Sequence, residues 1–218
     1  NFGELGLTAL DWTAGAWWRQ TQNGFSSSLY SSGVPLEQYG AEVLGEIREN
    51  LELYIRAARN KLGVEQLDQA QALLDWQINP DSNLTTEIRS VDEKSSYNDA
   101  NGLLGAVRYT RRLMPGLEMF GQVQLTLDDD GGAYAKNDRY MVGGHYSFGN
   151  RSSIAAEIST GDRGPASTVN AEYLLGSDRR IYASYTGCSD EVDYHPVLNP
   201  AADNGWTIGQ RSQVSSRL

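Results

Sequence analysis

The sequence predicts an all-β fold, an antiparallel up-and-down barrel of about 12–14 strands. The first observation is strict alternation between Leu103 and Phe148. Leu103, Gly105, Val107 and Tyr109 fall on one face, and Leu104, Ala106 and Arg108 on the other. Leu117, Met119, Gly121, Val123 and Leu125 then oppose Glu118, Phe120, Gln122, Gln124 and Thr126. Tyr140, Val142, Gly144, Tyr146 and Phe148 oppose Met141, Gly143, His145 and Ser147. A period of two marks a strand whose faces meet different surroundings. The second observation is turn chemistry between the runs, as in Asn79-Pro80-Asp81-Ser82-Asn83 and Pro115-Gly116. The third is that short and long connections alternate along the chain.

Taken in order, Gly3 to Leu10 alternates and reads as a strand, turned by Asp11 to Thr13. Ala14 to Gln20 is a second strand carrying Trp17-Trp18. Thr21 to Leu36 is rich in Ser, Gly and Asn and reads as a long loop. Tyr39 to Ile47 and Leu51 to Ala58 are strands joined by a tight turn at Arg48-Glu49-Asn50. The stretch Glu37 to Leu74 is also the best helix candidate, because Glu, Leu, Ala, Gln and Arg are good helix formers. Strand is preferred, because the alternation stays in phase with the runs downstream of it. Leu62-Gly63-Val64 is a short loop, and Gln69 to Ile78 and Leu84 to Arg89 are strands. Val91 to Asn101 reads as a polar loop.

Beyond Leu103 the turns are expected over Thr110 to Gly116 and at Gly149-Asn150-Arg151, with a polar loop from Asp128 to Asp138. Ile154 to Ser159, Val169 to Leu175 and Ile181 to Thr186 complete the meander, separated by Gly161 to Ala166 and Gly176 to Arg180. Gly187 to Asn204 is a long loop before a last strand at Trp206 and Ile208, and Ser215 to Leu218 reads as the start of another turn. The strands are of roughly 7–11 residues, a length that crosses a bilayer.

The chain has 218 residues, enough for one large all-β domain or two ordinary ones. We expect a single β-barrel domain over residues 1–218, or a fragment of one. A formal charge of -10 argues against nucleic acid, which needs clustered Lys and Arg. One cysteine, Cys188, excludes an intrachain disulfide. Asn1 to Leu5 has neither the basic start nor the apolar core of a signal peptide. Mean hydropathy is -0.49, and no apolar run is long enough for a transmembrane helix. Low hydropathy is compatible with a membrane barrel, in which only every second residue of a strand meets lipid.

Alternation alone fits a soluble barrel with its apolar face inward or a membrane barrel with that face outward. Four features favour the membrane. Connections are short at one end and long and polar at the other. The apolar face includes Gly45, Gly105, Gly121, Gly144, Ala57, Ala72 and Ala171, which would leave cavities in a soluble core. Tyr109, Tyr146, Phe148 and Tyr173 sit beside short turns, and Tyr39, Trp76, Tyr140 and Trp206 also lie near strand ends, as interfacial girdles do. The opposite face carries Glu42, Glu46, Arg56, Glu87, Arg89, Arg108, Glu118, Glu157 and Glu172, the candidate lumen-facing residues. The fold expected is therefore an antiparallel up-and-down transmembrane β-barrel.

The turn patterns Tyr146-Ser147-Phe148-Gly149-Asn150-Arg151 and Tyr173-Leu174-Leu175-Gly176-Ser177-Asp178-Arg179 sit among alternating strands and long polar loops. In these respects the chain resembles Gram-negative outer-membrane β-barrel proteins. The resemblance implies a bacterial outer-membrane location. It implies a passive, porin-like pore or the membrane anchor of a larger surface assembly. Its partners would be outer-membrane lipid and lipopolysaccharide, and other chains or missing segments of a larger envelope complex. Such proteins usually end on a strand with a terminal aromatic residue, whereas this chain ends Ser216-Arg217-Leu218. With an odd apparent strand count and a start within a strand, the chain is expected to be a piece of a larger barrel. The alternative is a soluble or cell-surface β-rich ligand-binding protein.

Little in the sequence points to an enzyme or a cofactor, and none is expected. His195, Cys188, Asp190 and Asp193 fit no standard zinc spacing. Asp128-Asp129-Asp130-Gly131-Gly132 lacks the EF-hand spacing and its closing Glu. No Gly-x-Ser-x-Gly is present, although His145 with Ser147 or Glu157 imitates a rim hydrolase. The charges on the polar face have two readings. Rows on opposing walls would set a transverse field across a channel, or the charges pair across strands and close the interior.

Overall fold

A computed structural model describes residues 2–9, 11–21, 26–27, 30–31, 35–95, 99–131, 136–149, 151–175, 179–188 and 205–212. Among the described residues the regular elements are all strands. They are β1 (Phe2–Ala9), β2 (Trp12–Thr21), the two-residue β3 (Ser26–Ser27) and β4 (Tyr30–Ser31), β5 (Leu36–Arg48), β6 (Leu51–Leu62), β7 (Glu65–Asn79) and β8 (Ser82–Lys94). There follow β9 (Asp99–Met114), β10 (Leu117–Asp129), β11 (Arg139–Phe148), β12 (Ser152–Gly161), β13 (Ala166–Leu175), β14 (Arg179–Cys188) and β15 (Gly205–Ser212). Thirteen of them form one sheet in sequence order, interrupted only by the small β3–β4 hairpin. The up-and-down meander is thus as the alternation predicts. The helix-forming composition of Glu37 to Leu74 is overridden, because this stretch pairs as β5, β6 and β7 in unbroken antiparallel register over most of its length.

Two expectations are corrected. The turn predicted over Thr110 to Gly116 shrinks to Pro115-Gly116, because β9 continues to Met114. Gly116 adopts a positive φ of 85°, and its carbonyl accepts a 2.7 Å hydrogen bond from Ser147 N–H. A Cβ there would collide with the Ser147 carbonyl, so glycine is required twice over. The loop predicted from Val91 to Asn101 is also shorter, since β8 runs to Lys94 and β9 begins at Asp99. The end of the chain from Gln213, including the turn expected at Ser215, lies outside the described residues.

The chain divides into two compact units. Unit 1 comprises Asn1–Gln77, Thr85–Ala106 and Leu125–Lys136; unit 2 comprises Ile78–Leu84, Val107–Gln124 and Asn137–Leu218. In unit 1 the apolar row runs through Val43, Ile55 and Ala72, which are direct cross-strand partners. Trp12 and Trp76 flank it near the short turns, and Trp18 and Tyr39 near the long connections; all four are exposed. Arg59, which interrupts this face near the end of β6, donates from Nε and Nη2 to Asp68 at 2.5 Å and from Nη1 to Tyr39 Oη at 2.9 Å. In unit 2 the equivalent row holds Val142, Ile158 and Val169, bordered by Tyr146 and Phe148, whose rings stack at 5.8 Å.

Burial is inverted relative to a protein in water. In unit 2, Ile158 is 61% exposed while Gln122 and Gln124 on the opposite face are 3% and 0% exposed. In unit 1, Ile55 is 46% exposed and Glu87 only 5%. The polar face also buries Leu104 and Ala106 in unit 1 and Met141 in unit 2. The glycines of the apolar face are mostly roofed by neighbours. The Trp12 ring covers Gly45, Leu127 covers Gly105, and Met119 lies against Gly144, whereas nothing stands over Gly121.

Candidate functional site: the charged face of the sheet

The strand period places the candidate charges on one face, and register decides which of them meet. In unit 1, Glu42 lies directly opposite Arg56. Glu42 Oε2 accepts a 2.9 Å hydrogen bond from Tyr54 Oη. The Arg56 guanidinium stands 4.9 Å from the Trp17 ring centroid, a cation–π distance. Trp17 in turn lies on Gly40, its cross-strand partner, where an added Cβ would strike the indole. Glu46 faces Glu52 at the point where the β5–β6 register shifts, and it is exposed. Glu87 is buried beside Arg89, with an N–O separation of 2.9 Å.

Unit 2 repeats the three-layer arrangement. Arg108 lies 3.6 Å from the centroid of Phe120, and Phe120 covers its partner Gly143. Glu157 stands opposite Gly143 on one side and Thr168 on the other. Arg139 donates to Ser159 Oγ at 2.9 and 2.6 Å. Arg108 and Arg139 both interact electrostatically with the Glu157 carboxylate. Glu118 faces His145 and accepts from Arg112 at 3.3 Å. Glu172 accepts from Arg180 Nη1 at 2.7 Å. A pocket lined by Arg108, Phe120, His145, Glu157, Thr168 and Asn170 lies within this unit.

The structure therefore brings Glu42 to Arg56, Glu87 to Arg89, and Arg108 to Glu157. Glu118 and Glu172 find arginines, Arg112 and Arg180, that sequence reasoning left out. It also left out Trp17, Tyr54, Phe120 and Arg139. The missed signal is a pairing signal. The β10–β11 register sets Phe120 opposite Gly143, and the Arg108 guanidinium lies over the same ring. Burying an aromatic ring over a strand glycine is a known way to restore packing that glycine lacks.

Ser147 Oγ lies 3.5 Å from His145 Nε2, beyond normal hydrogen-bond length. Among the described residues no group of three His, Cys, Asp or Glu side chains is placed to hold a metal. Of the residues considered for zinc, Asp190, Asp193 and His195 lie outside the described residues. Cys188 ends β14 opposite Ala166.

No protein-family model matches the chain, and no curated protein matches it. Solved structures do. A triple mutant of Rhodopseudomonas blastica porin superposes with a TM-score of 0.53 at 14% identity, over 97% of this chain and 87% of the porin. A second triple mutant of that porin gives 0.53 at 15% identity, over 86% and 83%. A third variant gives 0.52 at 14% identity over the same shares. The likeness is one of fold: the chain shares the all-β, antiparallel up-and-down strand architecture of that porin.

Proposed function

We propose that the chain forms the wall of an outer-membrane channel for small hydrophilic solutes. The observation that carries this reading is the inverted burial of the two faces. A protein in water hides its apolar face. Here Ile55, Val142 and Ile158 are exposed, while Glu87, Gln122 and Gln124 are buried. Hydrocarbon makes the opposite demand of a surface and also requires backbone polar groups to be paired, which the register achieves for the strands between β1 and β15. The porin-like fold and the polar-face rows of Glu and Arg support the same reading. Outer-membrane lipid and lipopolysaccharide are then the partners of the apolar face, with further envelope segments at its edges. The chain acts without a cofactor, catalyses no reaction and binds no nucleic acid.

One observation favours a second reading, a membrane anchor whose interior is closed. Leu104 and Ala106 on the polar face of unit 1, and Gln124 and Met141 in unit 2, are almost wholly buried. The deciding experiment is reconstitution of the detergent-refolded chain into planar bilayers, with heat-modifiable gel migration as the report of folding. Folded protein with stepwise, salt-proportional conductance supports the channel. Folded protein without conductance supports the anchor. Full solubility and β-type circular dichroism without detergent overturn both, in favour of a soluble or cell-surface ligand-binding protein.

A further inference from the structure

We infer that His145 makes the ion preference of the channel wall depend on pH, its protonation shifting that preference from cations towards anions. The inference rests on the channel reading and names a residue that decides which ions such a channel favours. His145 is exposed on the polar face of β11. It lines two cavities of unit 2, one of about 730 Å3 and one of about 320 Å3. Glu118, directly opposite it on β10, is the one acidic residue that lines both. His195, the other histidine of the chain, lies outside the described residues.

The groups around His145 come from every neighbouring element. From β9, Arg112 donates to Glu118 at 3.3 Å and lies 3.7 Å from Asp81, in the turn between β7 and β8. Also from β9, Arg108 lines the smaller cavity with Glu157 of β12, and the two interact electrostatically. Glu157 interacts with Arg139 of β11 as well. Ala155 of β12 stands directly opposite His145, and Thr168 and Asn170 of β13 complete that lining without charge. On its own strand, His145 has Ser147 Oγ 3.5 Å from Nε2.

These neighbours are carboxylates, guanidiniums and neutral groups. Imidazole is the side chain that changes charge between about pH 5 and 8, where carboxylate and guanidinium groups ordinarily do not. The fixed charges set where the ion preference starts, whichever of them pair with one another. His145 sets how far it moves. Its protonation adds one positive charge beside Glu118, which then stands between two cations, Arg112 and His145. A passing ion feels that added charge through water, and a cation and an anion feel it in opposite senses. The shift in preference is roughly twofold at about 0.1 M salt. It fades at about 1 M, where the screening length has fallen from about 10 Å to about 3 Å.

The test is the reversal potential of the full chain in planar bilayers under a potassium chloride gradient, read from about pH 8 to about pH 5.5. The ratio of cation to anion permeability is expected to fall roughly twofold on acidification in dilute salt. His145→Gln is expected to hold the high-pH ratio at both ends of the range, and His145→Arg the low-pH ratio. Heat-modifiable migration reports that each variant is folded, and either one decides the matter if the other is not. A ratio that stays constant in the unaltered chain overturns the switch and leaves the channel standing. So does a His145→Gln or His145→Arg channel that still follows pH as the unaltered chain does. Folded protein that never conducts overturns the channel and the switch together.

Discussion

Arg108 lies over Phe120 with its guanidinium carbon 3.6 Å from the ring centroid, and Phe120 lies over Gly143. Arg56, Trp17 and Gly40 make the same stack in unit 1, with 4.9 Å between guanidinium and ring. In each, a strand glycine leaves the groove, an aromatic ring fills it, and the ring holds a cation in one orientation. The glycines are therefore structural parts of an electrostatic feature.

Glycine-to-alanine substitution tests the stacks. An added Cβ at Gly143 would come within 2.6 Å of the Phe120 ring and 2.9 Å of the Ala156 carbonyl. At Gly40 it would come within 2.6 Å of the Ala57 carbonyl. Gly143→Ala and Gly40→Ala are expected to cost about 1–3 kcal/mol each through overpacking. Gly121→Ala, with nothing within 4 Å, should be neutral or gain up to about 1 kcal/mol. Urea unfolding from lipid vesicles measures all three.

Opposite faces of one strand pair should respond differently to a cation. Ile55→Arg places charge on the exposed apolar row of β6 and should cost about 2–4 kcal/mol in a bilayer. Gln71→Arg, on the polar face of β7 opposite Arg56, should leave insertion nearly intact. Folding yield into vesicles is the readout. Equal, small effects would mean that the apolar row faces water.

Glu87 and Arg89 form the most buried of the described ion pairs, with side chains 1% and 16% exposed. Arg89→Met removes the closest cation from a carboxylate that cannot reach water, and should cost about 3–5 kcal/mol. The double variant with Glu87→Gln should recover much of that loss, as a double-mutant cycle would show. Glu172–Arg180, at 36% exposure on both sides, should contribute no more than about 1 kcal/mol.

Cys188 shares its face with Arg180, Tyr182, Ser184 and Thr186, the side of β14 that looks away from Ile181 and Tyr185. A charged methanethiosulfonate reagent is expected to label it in vesicles and to reduce conductance. Labelling only after detergent solubilisation would place that face against lipid.

Face assignment was legible in the sequence because a period of two needs no knowledge of partners. The alternations of β9, β10 and β11 and the turn at Asn79 to Asn83 carried it. Strand ends were less legible. β8 continues through Asp92, Glu93 and Lys94, and β9 through Arg111 and Arg112, where polar residues occupy both faces and erase the contrast. Pairings were the least legible. Arg180 next to Glu172, or Phe120 on Gly143, emerges only from register, which is set by turns of two or three residues whose exact length the sequence does not dictate.

Every main-sheet strand joins the strand before it in sequence, apart from the step over β3 and β4. Such a meander has low contact order for a β protein, since no pairing must wait for a distant part of the chain. It is also divisible by hairpins. Excising β11 and β12 together would leave β10 to meet β13 with the same antiparallel sense and the apolar face on the same side. Removing β11 alone would reverse the direction of everything after it. The sheet can therefore grow or shrink in evolution, and in engineering, by steps of two strands, with strand number free to drift while the alternation of faces is kept.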